Sequence, residues 1–319
     1  MSDTSKTNIT YCFLHIPKTA GSTFRLHLEK HFSTEERLPV YYVEEFHNLV
    51  SNTPEYFSER ADIDSYLSSL STEQKDKIKC IYGHQVYYGI HRHFEGEFRY
   101  VTFMREPIKR NISAFNFYHH SFITNPKEPA WNKSRNYRDS WQWISETLTK
   151  DGAFITFDEW TNNTEWSNFV LKFLEHRNFI TVDTNKDTNL VDPFKQFYFV
   201  GVVDNFTVDS MFLYHELGIH KFFPDQNIAQ KRHDIVFSRK NFIAKNSLDI
   251  MLYEAAVSHN ITFKKRHRFT HYMKICLVWM CKMRYQIGAI VSLNSLYRLS
   301  AVCKKHSNLY TGFISVFKK

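Results

Sequence analysis

Tyr11-Cys12-Phe13-Leu14-His15-Ile16-Pro17-Lys18-Thr19-Ala20-Gly21-Ser22-Thr23-Phe24 is the stretch that sets the architecture. An apolar run ends at a proline. One lysine, a glycine and two hydroxyl residues follow, and a helical pattern begins. This order builds a phosphate cradle: a strand delivers the chain to a tight loop, and the loop feeds a helix whose first amides lack intrahelical partners. Those amides and the positive end of the helix dipole favour an anion. Lys18 adds a full charge, Gly21 lets backbone approach a ligand closely, and Ser22 and Thr23 can donate hydroxyl hydrogen bonds. The loop is not a Walker A motif, which needs its lysine directly after the last glycine; here the lysine comes three residues before it. The plainer alternative is a strand–turn–helix junction with a surface lysine and an ordinary cap.

A second strand-to-helix passage runs from Phe98 to Phe115 and contains Met104-Arg105-Glu106-Pro107-Ile108-Lys109-Arg110-Asn111-Ile112-Ser113. Pro107 stands where a first-turn proline is tolerated. Arg105 lies at the strand exit, and Ser113 follows about two helical turns later. An arginine at a strand end and a serine on the facing side of the helix can hold one phosphate together, because the planar guanidinium grips phosphate oxygens bidentately.

Around these passages strands and helices alternate. Strands are expected at 9–16, 78–83, 98–104 and 197–203. Helices are expected at 22–32, near Ile63–Leu70, and at 107–120, 139–148, 164–177, 207–217 and 241–258. The last is expected to carry Ile243, Leu248, Leu252 and Ala256 on one face. Residues 121–138 read as a long loop. The alternation implies an α/β fold, a mainly parallel central sheet with helices on both faces in three layers. The expected division is a disordered 1–8, a single domain over 9–265 and a helical extension over 266–319.

The two phosphate passages together resemble the sulfotransferases that use 3′-phosphoadenosine 5′-phosphosulfate (PAPS), and within them the carbohydrate branch of heparan sulfate and uronyl 2-O-sulfotransferases. Pro17 to Phe24 resembles that family's 5′-phosphosulfate motif, and Arg105 to Ser113 its 3′-phosphate motif. Tyr82-Gly83-His84-Gln85 resembles its G-H element. Phe154 to Trp160 and Tyr198 to Val203 resemble two further segments, so the likeness covers about residues 9–265. The resemblance implies a P-loop-like fold and transfer of a sulfuryl group from PAPS to an acceptor hydroxyl, on a carbohydrate in this branch. It implies that Lys18, Thr19, Ala20, Gly21, Ser22 and Thr23 hold the 5′ end of the donor, with Lys18 also acting in catalysis. Arg105 and Ser113 would hold the 3′-phosphate, and His84 would be the base. Position agrees with that last role, since His84 follows a strand and a glycine and so stands at the carboxyl edge of the sheet, where open α/β folds bind ligands. His91 and His93 are alternatives for the base, while His15 is expected to pack or cap. Lys109 and Arg110 read either as part of the site or as an exposed helix face. Lys231 and Arg232 are weaker candidates for an anion contact.

Composition sets bounds. With 43% hydrophobic residues and 29 Phe, the chain can bury a full core and is not of disordered composition. A formal net charge of +8 favours anionic partners without choosing among them. The partners expected are the nucleotide donor and a hydroxyl acceptor, not nucleic acid; the oligomeric state is left open. Five cysteines without a pairing pattern argue against a disulfide-built domain, and no metal-ligand spacing is present. Cys12 and Cys80 fall in strands and are expected to be buried as small apolar groups. The polar first ten residues lack a signal core and no run spans a bilayer, so a cytoplasmic location is expected, or the Golgi if an anchor precedes this sequence. The basic 264–268 segment and the apolar 275–281 segment offer a peripheral membrane contact, or a helix packed on the domain. Other readings stay open: a catalytically inactive nucleotide- or polyanion-binding protein, a sulfotransferase acting on a lipid or small-molecule alcohol, and a nucleoside-phosphate kinase.

Overall fold

The computed structural model describes residues 9–41, 60–124, 147–181, 192–219, 235–267 and 276. The phosphate-cradle reading begins with strand β1 (Ile9–Leu14) and helix α1 (Gly21–His31), joined by the loop 15–20. After them come β2 (Arg37–Pro39), α2 (Arg60–Ser69), α3 (Thr72–Lys77), β3 (Cys80–Gly83), β4 (Glu97–Met104) and α4 (Pro107–Thr124). A small hairpin, β5 (Thr149–Lys150) and β6 (Ala153–Phe154), precedes α5 (Phe157–Asn162) and α6 (Phe169–His176). The described chain closes with β7 (Phe199–Val202), α7 (Phe206–Glu216), α8 (Arg239–Lys245) and α9 (Ser247–Arg266).

The main sheet has five strands in the order β2-β3-β1-β4-β7, and every pair in it is parallel. Strand alternation sorts side chains onto two faces. Cys12, Leu14, Ile81, Tyr100, Met104 and Val200 face α2, α6 and α9. Tyr11, Phe13, Tyr82, Val101, Phe103 and Phe199 face α1 and α7, where Phe24, Leu28, Phe212 and Leu213 meet them. The result is the expected α/β architecture with helices on both faces. A third, aromatic cluster joins α4, α5 and α8 through Phe115, Phe157, Trp160, Trp166 and Phe242.

This topology fixes where a ligand can bind. β1 hands the chain through α1 to the β2 side of the sheet, and β4 hands it through α4 to the β7 side. The two connections diverge from adjacent strands, which opens a crevice at their carboxyl ends. The register makes that edge level, because Leu14 lies beside both Gly83 and Thr102.

Several expectations need correction. β1 ends at Leu14, before the expected 16, as the chain turns into the loop. β2 was not expected; it is three residues on a sheet edge, where Pro39 is tolerated for want of an outer partner. The helix over 241–258 is two helices broken at Asn246. Phe242 fills the core there, while Ile243 is 44% exposed. The helix expected from 164 starts at Phe169, after Asn168 turns left-handed at φ 47°. α4 extends into the expected loop as far as Thr124. The remainder of that loop, the 139–146 part of an expected helix, and Lys231 and Arg232 lie outside the described residues.

Lys264 and Arg266 belong to the last turn of α9 rather than to a separate basic tail. Phe263 packs on Phe199 and Phe212, and Lys264 pairs with the buried Asp209 at 2.5 Å. α9 thereby guards the β7 edge. Asn260 donates to the Val200 carbonyl at 2.7 Å, and Asp209 accepts from the Val202 amide at 2.8 Å. Residues two apart in a strand point their polar groups the same way, so these two outward-facing groups of the edge strand are satisfied. Cys12 and Cys80 are buried and free, as expected. Among the described residues no helix is long and apolar enough to cross a membrane.

Candidate functional site

The loop after β1 is shaped by two left-handed residues. Lys18 has φ 69° and Ala20 has φ 63°, with Thr19 between them buried and donating its hydroxyl to the Ile16 carbonyl at 2.8 Å. Thr19 thus spends its side chain on the shape of the loop, not on a ligand. Ala20 is the N-cap of α1 and supplies no side-chain cap, so the first amides of α1 receive no side-chain acceptor from it. Alternation of handedness turns successive amides into one concavity that suits an anion. Ser22 is half-buried and Thr23 buried in the first turn.

Gly21 is needed for a reason the sequence did not reveal. A Cβ there would lie 2.0 Å from Cδ2 of His15. The imidazole of His15 is packed flat against the start of α1. Its position is held by stacking on Phe13 at 5.8 Å and by a 3.3 Å hydrogen bond between Nδ1 and the Tyr41 hydroxyl. Burial above all, and then the nearby His84, Arg25 and Lys18, hold His15 well below the usual imidazole range, so it is neutral at pH 7.

His84 adjoins this ring, with centroids 4.3 Å apart. It is 8% exposed and closed in by Tyr41 and Phe173. Its Nδ1 bonds to the carbonyl oxygen of His15. A carbonyl only accepts, so Nδ1 carries the hydrogen and, in the neutral ring, Nε2 carries the lone pair. That is the tautomer a base requires. Gly83 before it has φ 150°, and a Cβ there would meet the Val40 carbonyl at 2.0 Å. The buried Arg177 donates to the His84 carbonyl at 2.7 Å and fixes the strand exit from the other side. His91 and His93, the alternatives, turn to other partners: His91 bonds the Tyr100 hydroxyl at 2.9 Å and His93 bonds Asp64 at 2.8 Å.

The second passage meets the first directly. Arg105 Nη1 donates to the Lys18 carbonyl at 3.2 Å. Arg110 Nε donates to the Pro17 carbonyl at 3.3 Å. Two successive loop carbonyls are therefore drawn toward α4. Arg110 is not the exposed helix face that its neighbour Lys109 is; it is 1% exposed and lies 3.7 Å over the Phe169 ring. Lys109 points outward and pairs with Asp204 at 2.6 Å. Lys18 extends its ammonium over the Phe117 ring at 4.1 Å. Arg110, Ser113 and Phe117 share one stripe of α4 by their spacing of three and four residues. Ser113, half-buried, thus stands between two residues that touch the loop.

The electrostatics follow. Burial pushes the Lys18 ammonium down to about 8, helped by Arg105 and Arg110. Burial likewise lowers Arg110 to about 10, opposed by Asp249 and Tyr118 and reinforced by Arg105. Three cations crowd one corner of the crevice. The arrangement can bind a multiply charged anion, neutralise charge on a leaving group through Lys18 and accept a proton at His84. It places Lys18, Arg105 and the α1 N-terminus together, with His84 one imidazole away. Sequence reasoning left Arg110 open between the site and an exposed helix face, and it missed Arg177 and the His15 seat on Gly21. The short spacing from Arg105 was the signal for Arg110; Arg177 comes from a distant element, and the His15–Gly21 contact, though only six residues apart, depends on a loop shape that spacing does not reveal.

No family model matches the chain, and no curated protein matches it.

Proposed function

We propose that this chain is a P-loop-like, PAPS-dependent sulfotransferase that transfers a sulfuryl group to an acceptor hydroxyl. The observation that carries the reading is the gathering of Lys18, Arg105 and Arg110 at the N-terminus of α1, where like charges repel unless an anion joins them. Two tetrahedral anions linked through one nucleoside fit two motifs at adjacent strand tips.

In this reading Gly21, Ser22 and Thr23 hold the 5′ end of the donor, and Arg105 with Ser113 holds the 3′-phosphate. The donor supplies an activated sulfuryl group. His84 Nε2 takes the proton of the acceptor hydroxyl as its oxygen bonds to sulfur. The bond from sulfur to the bridging oxygen breaks, and Lys18 offsets the charge that grows on the departing bisphosphate. Lysine and helix amides supply this compensation from the chain's own residues. The choice of a carbohydrate acceptor rests on the sequence resemblance alone, since a donor site does not fix its acceptor.

The experiment is an incubation of the protein with sulfur-labelled PAPS and a panel of glycans, glycolipids and small alcohols. Label arriving on an acceptor hydroxyl supports the reading. Label that stays on the nucleotide across the panel, with adenosine 3′,5′-bisphosphate still bound, supports a binding protein without catalysis.

A further inference from the structure

Arg110 is the most deeply buried cation near the loop, and among the described residues its Nη1 has no hydrogen-bond partner. A buried donor left unpaired destabilises a fold, and so does a cation beside Lys18 and Arg105. A neutral donor could satisfy the Pro17 carbonyl without either penalty. What the arginine adds is a fixed charge against the loop, held at two contacts and offset by a nearby carboxylate. Its Nε holds Pro17 at 3.3 Å, its face lies on Phe169 at 3.7 Å, and Asp249 of α9 supplies an opposing carboxylate. Asp249 is itself fixed, accepting from the amides of Val170 and Leu171 at 3.1 and 2.9 Å.

We propose that Arg110 is the positioning residue of the anion loop: it turns the Pro17 carbonyl toward α4 so that the following amides face the ligand, and it lends the loop a buried charge. Arg110 acts through residues 17–22 and does not touch the donor. This inference rests on the donor-site reading above for the identity of the anion, but not for the state of the loop. Arg105 performs the neighbouring tie at Lys18 and is also assigned to the 3′-phosphate, so only Arg110 separates shaping the loop from gripping the ligand.

The test compares wild type with Arg110→Lys and Arg110→Met in two measurements. The first is amide hydrogen exchange over residues 17–24 without ligand. The second is the affinity for adenosine, AMP, 3′-AMP and adenosine 3′,5′-bisphosphate. Expected are faster exchange at the loop in Arg110→Met, and loss of about tenfold or more in the gain AMP shows over adenosine. The gain of 3′-AMP over adenosine should persist, and Arg110→Lys should recover part of both losses. Loop exchange equal to wild type in both variants overturns the proposal. So does an undiminished 5′-phosphate gain in Arg110→Met, or equal loss of the 5′ and 3′ gains. If wild type shows no gain from either phosphate while Arg110→Met loosens the loop, the loop tie stands and the donor reading falls.

Discussion

Arg105 Nη1 donates to the carbonyl oxygen of Lys18 across 3.2 Å, joining residues that lie 87 positions apart. Parallel pairing of β1 with β4 makes this contact possible, because it brings the exits of both strands to one edge. A guanidinium has five donors, so the bond to Lys18 does not exhaust it. Replacing Arg105 by alanine should therefore remove the preference for adenosine 3′,5′-bisphosphate over AMP. The difference in ligand-induced melting temperature reads this directly. A charged hydrogen bond of this kind contributes about 1.5–3 kcal/mol, or roughly ten- to a hundredfold in affinity. A preference that survives the change would remove Arg105 from the 3′-phosphate assignment.

His84 is tied through Nδ1 to the His15 backbone and presents Nε2 as its acceptor. An asparagine can imitate the Nδ1–H donor while offering no base. His84→Asn should lower sulfuryl transfer by about a hundredfold to ten-thousandfold and leave the bisphosphate-induced melting shift within error of wild type. Transfer that continues at the wild-type rate would show that His84 is not the base.

Lys18 gives a pH dependence of defined sign. Its ammonium loses a proton near 8 in the free folded protein, and a bound anion favours the charged form. Anion affinity should thus be level from about 7, above the ligand phosphate's own ionisation near 6, to about 8 and decline beyond it, and the Lys18→Met variant should show weaker binding without that decline. Stability runs the opposite way. An unfolded lysine keeps its proton up to the ordinary 10.5, so between about 8 and 10.5 the unfolded chain binds more protons. Ligand-free stability gains from this group as pH rises through that window. Titration calorimetry across pH on both proteins measures the first effect, and urea midpoints measure the second.

A methyl group at position 21 would collide with the His15 ring at 2.0 Å. Gly21→Ala should destabilise the protein by about 1–3 kcal/mol, the range for overpacking. His15→Ala opens the space, so the double variant should be more stable than the sum of the single changes requires. Strict additivity in denaturant unfolding would mean that the two residues do not touch.

Two helices cap each other at the rim of the site. Asn168 accepts from the amides of Leu248 and Asp249 at 3.0 and 3.1 Å, while Asp249 accepts from those of Val170 and Leu171. Asp249→Ala should cost about 1–3 kcal/mol, because buried amides lose their partner, and should weaken anion binding less than Arg105→Ala does. Unchanged stability would contradict this account of α6 and α9.

The alternation of apolar runs and amphipathic patterns made the parallel sheet and most helices legible, because burial on both faces writes itself into composition. The turns at Lys18 and at Arg105 were legible for the same reason: each is a local strand–loop–helix signal. What stayed hidden depends on how the chain folds back on itself. Nothing near Gly21 announces that a histidine six residues earlier will pack on it. Arg110 reads equally as site or as surface until its contacts with Phe169 and Pro17 decide it. β2 escaped notice because three residues on an edge carry too little pattern, and the break at Asn246 is made by capping between helices far apart in sequence.

The central claim is that one nucleotide bearing two phosphates is gripped at the tips of β1 and β4. Titration calorimetry of the unmodified protein with adenosine 3′,5′-bisphosphate, AMP and magnesium-ATP tests it most directly. The account predicts one bisphosphate per chain, bound at least about tenfold more tightly than AMP, without magnesium and ahead of ATP. Equal affinity for AMP and the bisphosphate, or tight binding of magnesium-ATP alone, would contradict it.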